Sequence, residues 1–280
     1  MNLVKLKQLL IEFLNEDLGD GDVTSQALPQ SLIKTAYITA KQDGVFAGRD
    51  IVKVGYQLLS NEIEVKLFVQ DGDLVKKGKV IAEMTGPVDL LLAGERVFLN
   101  LMQRMSGIAT LANKAIEQLD DSTIRLCDTR KTTPGLRMLE KYAVRCGGAF
   151  NHRRGLDHAV LLKENHIAAY GGIIAAVREV KAKLGHMTKI EVEITNQNEL
   201  FEAIEAKVDV IMFDNYTPEQ IAKQRKYVPE GIVTEASGGI DLQTLPAFSG
   251  CGVDYISLGF LTHSVQAMDL SMLLKGDVKK

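Results

Sequence analysis

The sequence predicts an α/β protein: an N-terminal α+β sandwich with a linking helix over residues 1–110, then an irregular, incomplete α/β barrel over residues 111–280. Three observations predict it. Short β-branched runs begin near Ile124, Ala159, Thr188, Val208, Gly231 and Val253, some 20 to 35 residues apart. An amphipathic stretch, such as 173–184 or 218–226, fills the intervals, and strand–helix alternation of this kind builds βαβ units and a parallel sheet. Six units are visible where a full barrel has eight. The first hundred residues lack this rhythm.

The chain opens with Leu3, Leu6, Leu10 and Phe13 at helical spacing among Lys5, Lys7 and Glu12, which predicts an amphipathic helix. Asp17-Leu18-Gly19-Asp20-Gly21-Asp22 follows as a loop. Its acids suggest calcium, but counted from Asp20 the sixth residue is Ser25 and the twelfth Ser31, so an EF-hand fails. Ile63, Val65, Leu67 and Val69 alternate with polar residues and predict a half-buried strand, which turns at Asp71-Gly72-Asp73 into a second strand over 79–84. This hairpin resembles those of biotinyl and lipoyl carriers, yet Glu83-Met84-Thr85-Gly86 stands where their modifiable lysine belongs. Residues 90–119 read as helix, interrupted near Ser106-Gly107. A last helix opens at Thr262-His263-Ser264 and is expected to pack back on the N-terminal domain.

Composition narrows the function. The 280 residues are 46% hydrophobic and 25% charged, with a net charge of −3, no Trp and 6% aromatics. Neither a basic field nor a base-stacking surface is present, so nucleic acid is not an expected partner. No uncharged stretch is long enough to span a bilayer, and no apolar leader follows Met1. Membranes are therefore not expected partners, and the expected setting is the cytoplasm. Cys127, Cys146 and Cys251 are odd in number, far apart and without a CxxC pair, which suits reduced, inert, buried thiols.

The chemistry is expected at the carboxyl ends of the strands, where parallel α/β folds bind ligands. Those tips hold Asp128-Thr129-Arg130-Lys131, Lys163-Glu164-Asn165-His166, Glu193, Asp214-Asn215, Glu235-Ala236-Ser237-Gly238-Gly239 and Ser257-Leu258-Gly259. In Lys189-Ile190-Glu191-Val192-Glu193-Ile194 the apolar residues share one face, so Glu191 and Glu193 point into the barrel, with Glu193 nearer the mouth. Buried carboxylates need a compensating cation or metal. Between Arg125 and Arg154 the balance is eight cations (Arg125, Arg130, Lys131, Arg137, Lys141, Arg145, Arg153, Arg154) against Asp128 and Glu140, or +6. Arg130-Lys131 and His152-Arg153 adjoin predicted strands, which favours a pocket for a small, multiply anionic ligand. Ser237-Gly238-Gly239 and Gly259 follow the last two strands, a place where backbone N–H groups cradle phosphate.

These segments together resemble the quinolinate phosphoribosyltransferase family. The resemblance rests on Glu95-Arg96-Val97-Phe98-Leu99-Asn100, on the unbroken Asp128-Thr129-Arg130-Lys131-Thr132-Thr133-Pro134-Gly135-Leu136-Arg137, on Asn151-His152-Arg153, and on Leu162-Lys163-Glu164-Asn165-His166-Ile167. It extends to Glu235-Ala236-Ser237-Gly238-Gly239-Ile240, Leu261-Thr262-His263-Ser264 and Gly19-Asp20-Gly21-Asp22-Val23-Thr24. Glu164 and Ala236 depart from the commoner Asp and Ser. The resemblance implies transfer of phosphoribosyl from phosphoribosyl pyrophosphate to quinolinate with decarboxylation, giving nicotinate mononucleotide. It implies that Arg130, His152, Arg153 and Lys163 bind quinolinate, with Arg96 reaching in from the partner of a homodimer. Lys131, Lys163, Glu193 and Asp214 would handle the ribose and pyrophosphate, and Ser237, Gly238, Gly239, Gly259 and His263 the 5′-phosphate. Lys131, Glu193 and Asp214 would be catalytic, with Mg²⁺ on Glu193 and Asp214 directly or through water. A molybdate-associated paralogue and a Schiff-base aldolase using Lys163 stand as alternatives. His158 and His186 read as surface or packing residues, and His166 is undecided.

Overall fold

The computed structural model describes residues 1–29 and 32–275. In chain order the elements are α1 (Leu3–Leu18), β1 (Ile33–Ala40), β2 (Gly44–Val45), α2 (Arg49–Leu59), β3 (Glu64–Leu67), β4 (Leu74–Val75), β5 (Val80–Pro87), α3 (Val88–Ala93) and α4 (Glu95–Leu119). There follow β6 (Arg125–Cys127), α5 (Arg137–Cys146), β7 (Val160–Leu162), α6 (Glu164–Tyr170), α7 (Ile173–Lys181), β8 (Ile190–Ile194), α8 (Gln197–Glu205) and β9 (Val210–Asp214). The last are α9 (Pro218–Arg225), β10 (Val233–Ser237), β11 (Tyr255–Ser257), α10 (Phe260–His263) and β12 (Leu270–Leu274).

The chain forms two compact units, and neither is a single stretch of sequence. One contains Met1–Asn113, Met138–Gly148 and the segment from Ser264; the other contains Lys114–Arg137 and Ala149–His263. A single cut at residue 110 therefore differs from the observed division in two places, α5 and the C-terminal segment.

The first unit is an antiparallel sheet in the order β12-β1-β5-β3, with α1 to α4 from early sequence and α5 from mid-chain. Asn2 caps α1 by accepting from the Val4 and Lys5 N–H groups at 3.0 and 3.1 Å. That helix buries Leu6, Leu10 and Leu14, whereas Leu3 stays half exposed. Two expectations fail here. The long helix is unbroken at Ser106-Gly107; the break falls at Gly94, between α3 and α4. Gly107 is instead a close approach, since a Cβ there would lie 2.1 Å from the Gln266 carbonyl oxygen. The C-terminal segment also returns as a strand rather than a helix, with Leu270–Leu274 pairing along β1.

The second unit is a six-stranded parallel sheet in the order β6-β11-β10-β9-β8-β7. Each strand begins within about two residues of its expected start. Sequential strands are neighbours from β7 to β11, and β11 then pairs with β6, as in a barrel. Between β6 and β7 the ring is open. There the Phe150 segment docks on β6, with Phe150 N–H donating to the Leu126 carbonyl at 2.8 Å and Asp128 N–H donating to the Phe150 carbonyl at 3.1 Å. Helices begin where the sequence supplies caps: Thr217 accepts from Gln220 N–H, Gln220 accepts from Thr217 N–H, and Pro218 takes the first helical position of α9. Val192, Ile194, Ile211, Phe213 and Ile256 are fully buried and make the sheet's apolar filling.

Candidate active site

The carboxyl ends of the second unit's strands enclose a cavity of about 360 Å³. Arg130 and Lys131 enter from the loop after β6, His152 and Arg153 from the segment docked on β6, and Lys163 from the end of β7. Glu193 stands on β8, Asp214 at the end of β9, and Ser237 and Gly238 at the end of β10. Gly259 and His263 adjoin this group through Lys131: a Cβ on Gly259 would sit 3.0 Å from Lys131 Cδ and 3.3 Å from His263 Nε2. Thr262 Oγ1 donates to the Lys131 carbonyl at 2.7 Å, so α10 pins that loop. Because α10 ends at His263, this residue closes a short helix rather than opening a long one. Arg96 lies in the other unit, in the first turn of α4, with Nη2 3.9 Å from Glu95 Oε1.

The inward glutamates stand as their alternation predicts. Glu193 lines the cavity and is ion-paired with Lys163, while Glu191 lies deeper and is buried. That pairing also engages the amine a Schiff-base aldolase would need free and neutral. Asp214 accepts from Asn215 Nδ2 at 2.8 Å, and Asn215 takes a left-handed φ of 58°. Gly238 turns beside it at φ 91°, where a Cβ would lie 2.3 Å from Asn215 Oδ1; no other residue fits.

The basic run is not one patch. Arg130 and Arg153 converge on the cavity, and burial, then the neighbouring Arg130, pulls the Arg153 guanidinium below its ordinary value. Arg153 Nη1 donates to the Ala159 carbonyl at 2.9 Å, just before β7, and so stitches the open seam of the ring. Arg130 Nε is buried with no partner, a donor awaiting an anion. Arg125, by contrast, lies at the opposite end of β6, over the Phe150 and Tyr255 rings at 5.0 and 5.9 Å. Lys141 and Arg145 belong to the first unit.

Sequence reasoning placed Asp128 and Glu235 at strand ends but gave neither a role. Asp128 is fully buried and accepts from Asn151 Nδ2 at 2.7 Å and from His152 N–H at 2.9 Å, which fixes the turn carrying His152 and Arg153. Glu235 is buried beside Glu191, and His152 Nε2 lies 3.0 Å from Glu191 Oε2 and 3.5 Å from Glu235 Oε1. Burial, followed by the Glu191 charge, pushes the Glu235 carboxyl up to about 7. Alternation in Glu235-Ala236-Ser237 would have found it by the reasoning applied to β8. The ligand atoms of His152, Glu191 and Glu235 lie within 4.8 Å of one another, a spacing that also suits a metal. However, His152 Nδ1 accepts the Arg153 N–H at 2.8 Å, so the ring proton sits on Nε2, the nitrogen a metal would need. The cluster is built around a proton.

The remaining histidines and cysteines fall as follows. His166 Nδ1 accepts the Lys163 N–H at 3.1 Å at the start of α6, a capping role; His158 and His186 are exposed. Cys127 and Cys251 are buried and Cys146 is half-buried; burial, then Asp71, pushes the Cys146 thiol up to about 12.

Comparison with known proteins decides the family. The model of the quinolinate phosphoribosyl transferase N-terminal domain matches residues 22–106, and that of the C-terminal domain matches residues 108–273. The chain belongs to the quinolinate phosphoribosyltransferase family. A probable carboxylating nicotinate-nucleotide pyrophosphorylase of Bacillus subtilis is 55% identical, over 97% of this chain and 94% of that one. The human carboxylating nicotinate-nucleotide pyrophosphorylase is 38% identical, over 97% and 92%. Among solved structures, NadC from Streptococcus pyogenes superposes with a TM-score of 0.95 at 37% identity, covering 98% of each chain. The nicotinate-nucleotide pyrophosphorylase of Francisella tularensis gives 0.92 at 37%, with the same coverage. In this phosphoribosyltransferase the cavity, its cations and its carboxylates all lie within the second unit.

Proposed function

We infer that this quinolinate phosphoribosyltransferase is a pentosyltransferase of NAD biosynthesis. It transfers phosphoribosyl from phosphoribosyl pyrophosphate to the nitrogen of quinolinate and releases pyrophosphate and carbon dioxide, leaving nicotinate mononucleotide. The observation that carries the reading is the orphaned, buried Nε of Arg130 in a cavity that also receives Arg153, Lys163 and Lys131. A pyridine dicarboxylate satisfies such a set, and a guanidinium meets each carboxylate with paired hydrogen bonds.

The residues divide the work by position. Arg130, Arg153 and Lys163 hold the two carboxylates, and the His152 ring closes the wall beside Arg153. Ser237, Gly238 and Gly239, with Gly259 and His263, receive the 5′-phosphate. Lys131 meets the pyrophosphate, whose charge must be neutralised as the glycosidic bond breaks. Glu193 and Asp214 face the positive charge that grows on the ribose. Both are oxygen donors on adjacent strands, and Mg²⁺ takes one or two carboxylates together with phosphate oxygens and water, so the pair fits that ion. Bound there, Mg²⁺ would neutralise leaving-group charge. Attack by the ring nitrogen makes a pyridinium, which stabilises the carbanion left by the departing carboxylate. No further cofactor is required for that step.

The exposed Arg96 is assigned to the partner's quinolinate site in a homodimer, and the setting to the cytoplasm, which suits three cysteines that form no disulfide among the described residues. Mixing Arg96→Ala with Lys131→Ala should restore part of the activity each lacks, because a mixed dimer rebuilds one intact site; subunit exchange without rescue refutes a shared site. The reaction itself is tested by nicotinate mononucleotide formation from quinolinate and phosphoribosyl pyrophosphate, with nicotinate as the control acceptor. Product is expected with quinolinate alone, and an equal rate with nicotinate overturns the assignment.

A further inference from the structure

Two loops carry the cavity's arginines, and a third arginine ties them together. Arg137 stands outside the cavity lining. Its Nε donates to Thr132 Oγ1 at 2.9 Å, in the loop after β6 that bears Arg130 and Lys131. Its Nη1 donates to the Arg154 carbonyl at 3.2 Å, in the segment that bears His152 and Arg153. One side chain thus grips both loops, and every residue in this group belongs to the second unit. A guanidinium suits the task because its N–H groups form a rigid planar fork, whereas an ammonium is a single point.

Helix stability does not account for a cation at this position. Arg137 opens α5, and a helix N-terminus carries partial positive charge that disfavours a nearby cation. Its place along the chain does account for it. At the base of the two loops Asp128 accepts the His152 N–H at 2.9 Å. Further out, Arg137 joins Thr132 to Arg154. Arg130 and Lys131 fall between the two ties on one loop, and Arg153 falls between them on the other. Guanidiniums that converge on one cavity repel each other, so loops tied only at the base would spread before an anion arrives.

We propose that Arg137 is a positioning residue that presets the spacing of Arg130 and Arg153 for the two carboxylates of quinolinate. This rests on the function inferred above for the cavity. With the loops already tied, binding does not have to draw them together and order them. The 5′-phosphate is received elsewhere, at the end of β10 and around Gly259 and His263, so the effect falls on quinolinate.

Steady-state kinetics on the full-length enzyme test the tie. Arg137→Ala is expected to raise KM for quinolinate by about tenfold, the scale of a charge-assisted hydrogen bond lost, with smaller changes in kcat and in KM for phosphoribosyl pyrophosphate. Arg137→Lys keeps the charge but not the fork, and should restore little. Thr132→Val cuts one prong and should raise the quinolinate KM about threefold, whereas Thr132→Ser keeps the hydroxyl and should stay near the parent. Added to Arg137→Ala, Thr132→Val should change little more, since both remove the same bond. Hydrogen exchange gives a readout independent of substrate: residues 129–136 and 151–157 should lose protection together in Arg137→Ala. An unchanged quinolinate KM in Arg137→Ala, an equal rise in both KM values, a Lys variant at the parent KM, additive effects of the two substitutions, or loosening of one loop alone overturns the proposal. Should Arg137→Ala fail to fold, the Thr132 variants decide, and equal KM values for Val and Ser overturn the tie. Absent turnover with quinolinate in the parent refutes the function, while the exchange outcome still judges the tie.

Discussion

The two walls of the cavity are built by different means. The acids come from the strands themselves: Glu193 on β8 and Asp214 closing β9 line the cavity, and Glu191 on β8 and Glu235 on β10 are buried behind that lining. A strand fixes the direction of every second side chain, and these residues are locked in the parallel ladder. The cations come from irregular backbone: Arg130 and Lys131 after β6, and His152 and Arg153 in the segment filling the gap between β6 and β7. They hold their places by specific hydrogen bonds, from Asp128 to the Asn151-His152 turn and from Arg153 to Ala159. A rigid frame thus supplies negative charge, while an adaptable rim supplies positive charge that recognises the substrate.

The largest expected break in that contrast is Arg153→Ala. It removes a cation of the wall together with the stitch to Ala159, and should cost about 2–5 kcal/mol of quinolinate binding, as truncating one member of a buried charge pair does. Calorimetric titration would show it, and wild-type affinity would put the dicarboxylate elsewhere.

The acid side is sharpened by pH. Glu235 has an ordinary value of 4.5 and stands at about 7 in the folded chain. The unfolded chain releases this proton first, so the folded state binds more protons between those values. Stability should therefore fall as pH rises from 4.5 to 7 and level off above, by on the order of 3 kcal/mol at most for this group. Denaturant melts of Glu235→Gln should lose that slope; an unchanged slope would assign it to other groups.

The smallest effect is expected from Arg125→Ala. Its guanidinium stacks on Phe150 and Tyr255 away from the cavity, so the change should cost about 0.5–1 kcal/mol of stability and leave both KM values alone. A raised quinolinate KM would extend the cationic wall down the whole of β6.

The same contrast explains what the sequence made legible. The six strands and the inward Glu191 and Glu193 follow from local alternation, which a strand obeys whatever its neighbours do. Cations at strand ends were visible as a charge excess, but that count could not separate Arg130 and Arg153 from Arg125 or from Lys141 and Arg145, because loops carry no period. Asp128 was given no role for a related reason: its partners, Asn151 and His152, are more than twenty residues away. Glu235 was readable and left without a role beside its glycines. The unbroken α4 and the returning β12 depend on packing across the sequence, with Gly107 meeting Gln266 and Leu270–Leu274 lying along β1.

The unclosed side of the ring has a consequence for how such an enzyme diversifies. A closed hoop of strands would tie every recognition residue to a ladder, and altering one would disturb its neighbours' pairing. Here the seam is laced by side chains, an aspartate on one edge and an arginine on the other. The pocket's selectivity can therefore be retailored at that opening while the carboxylates across from it keep their posts.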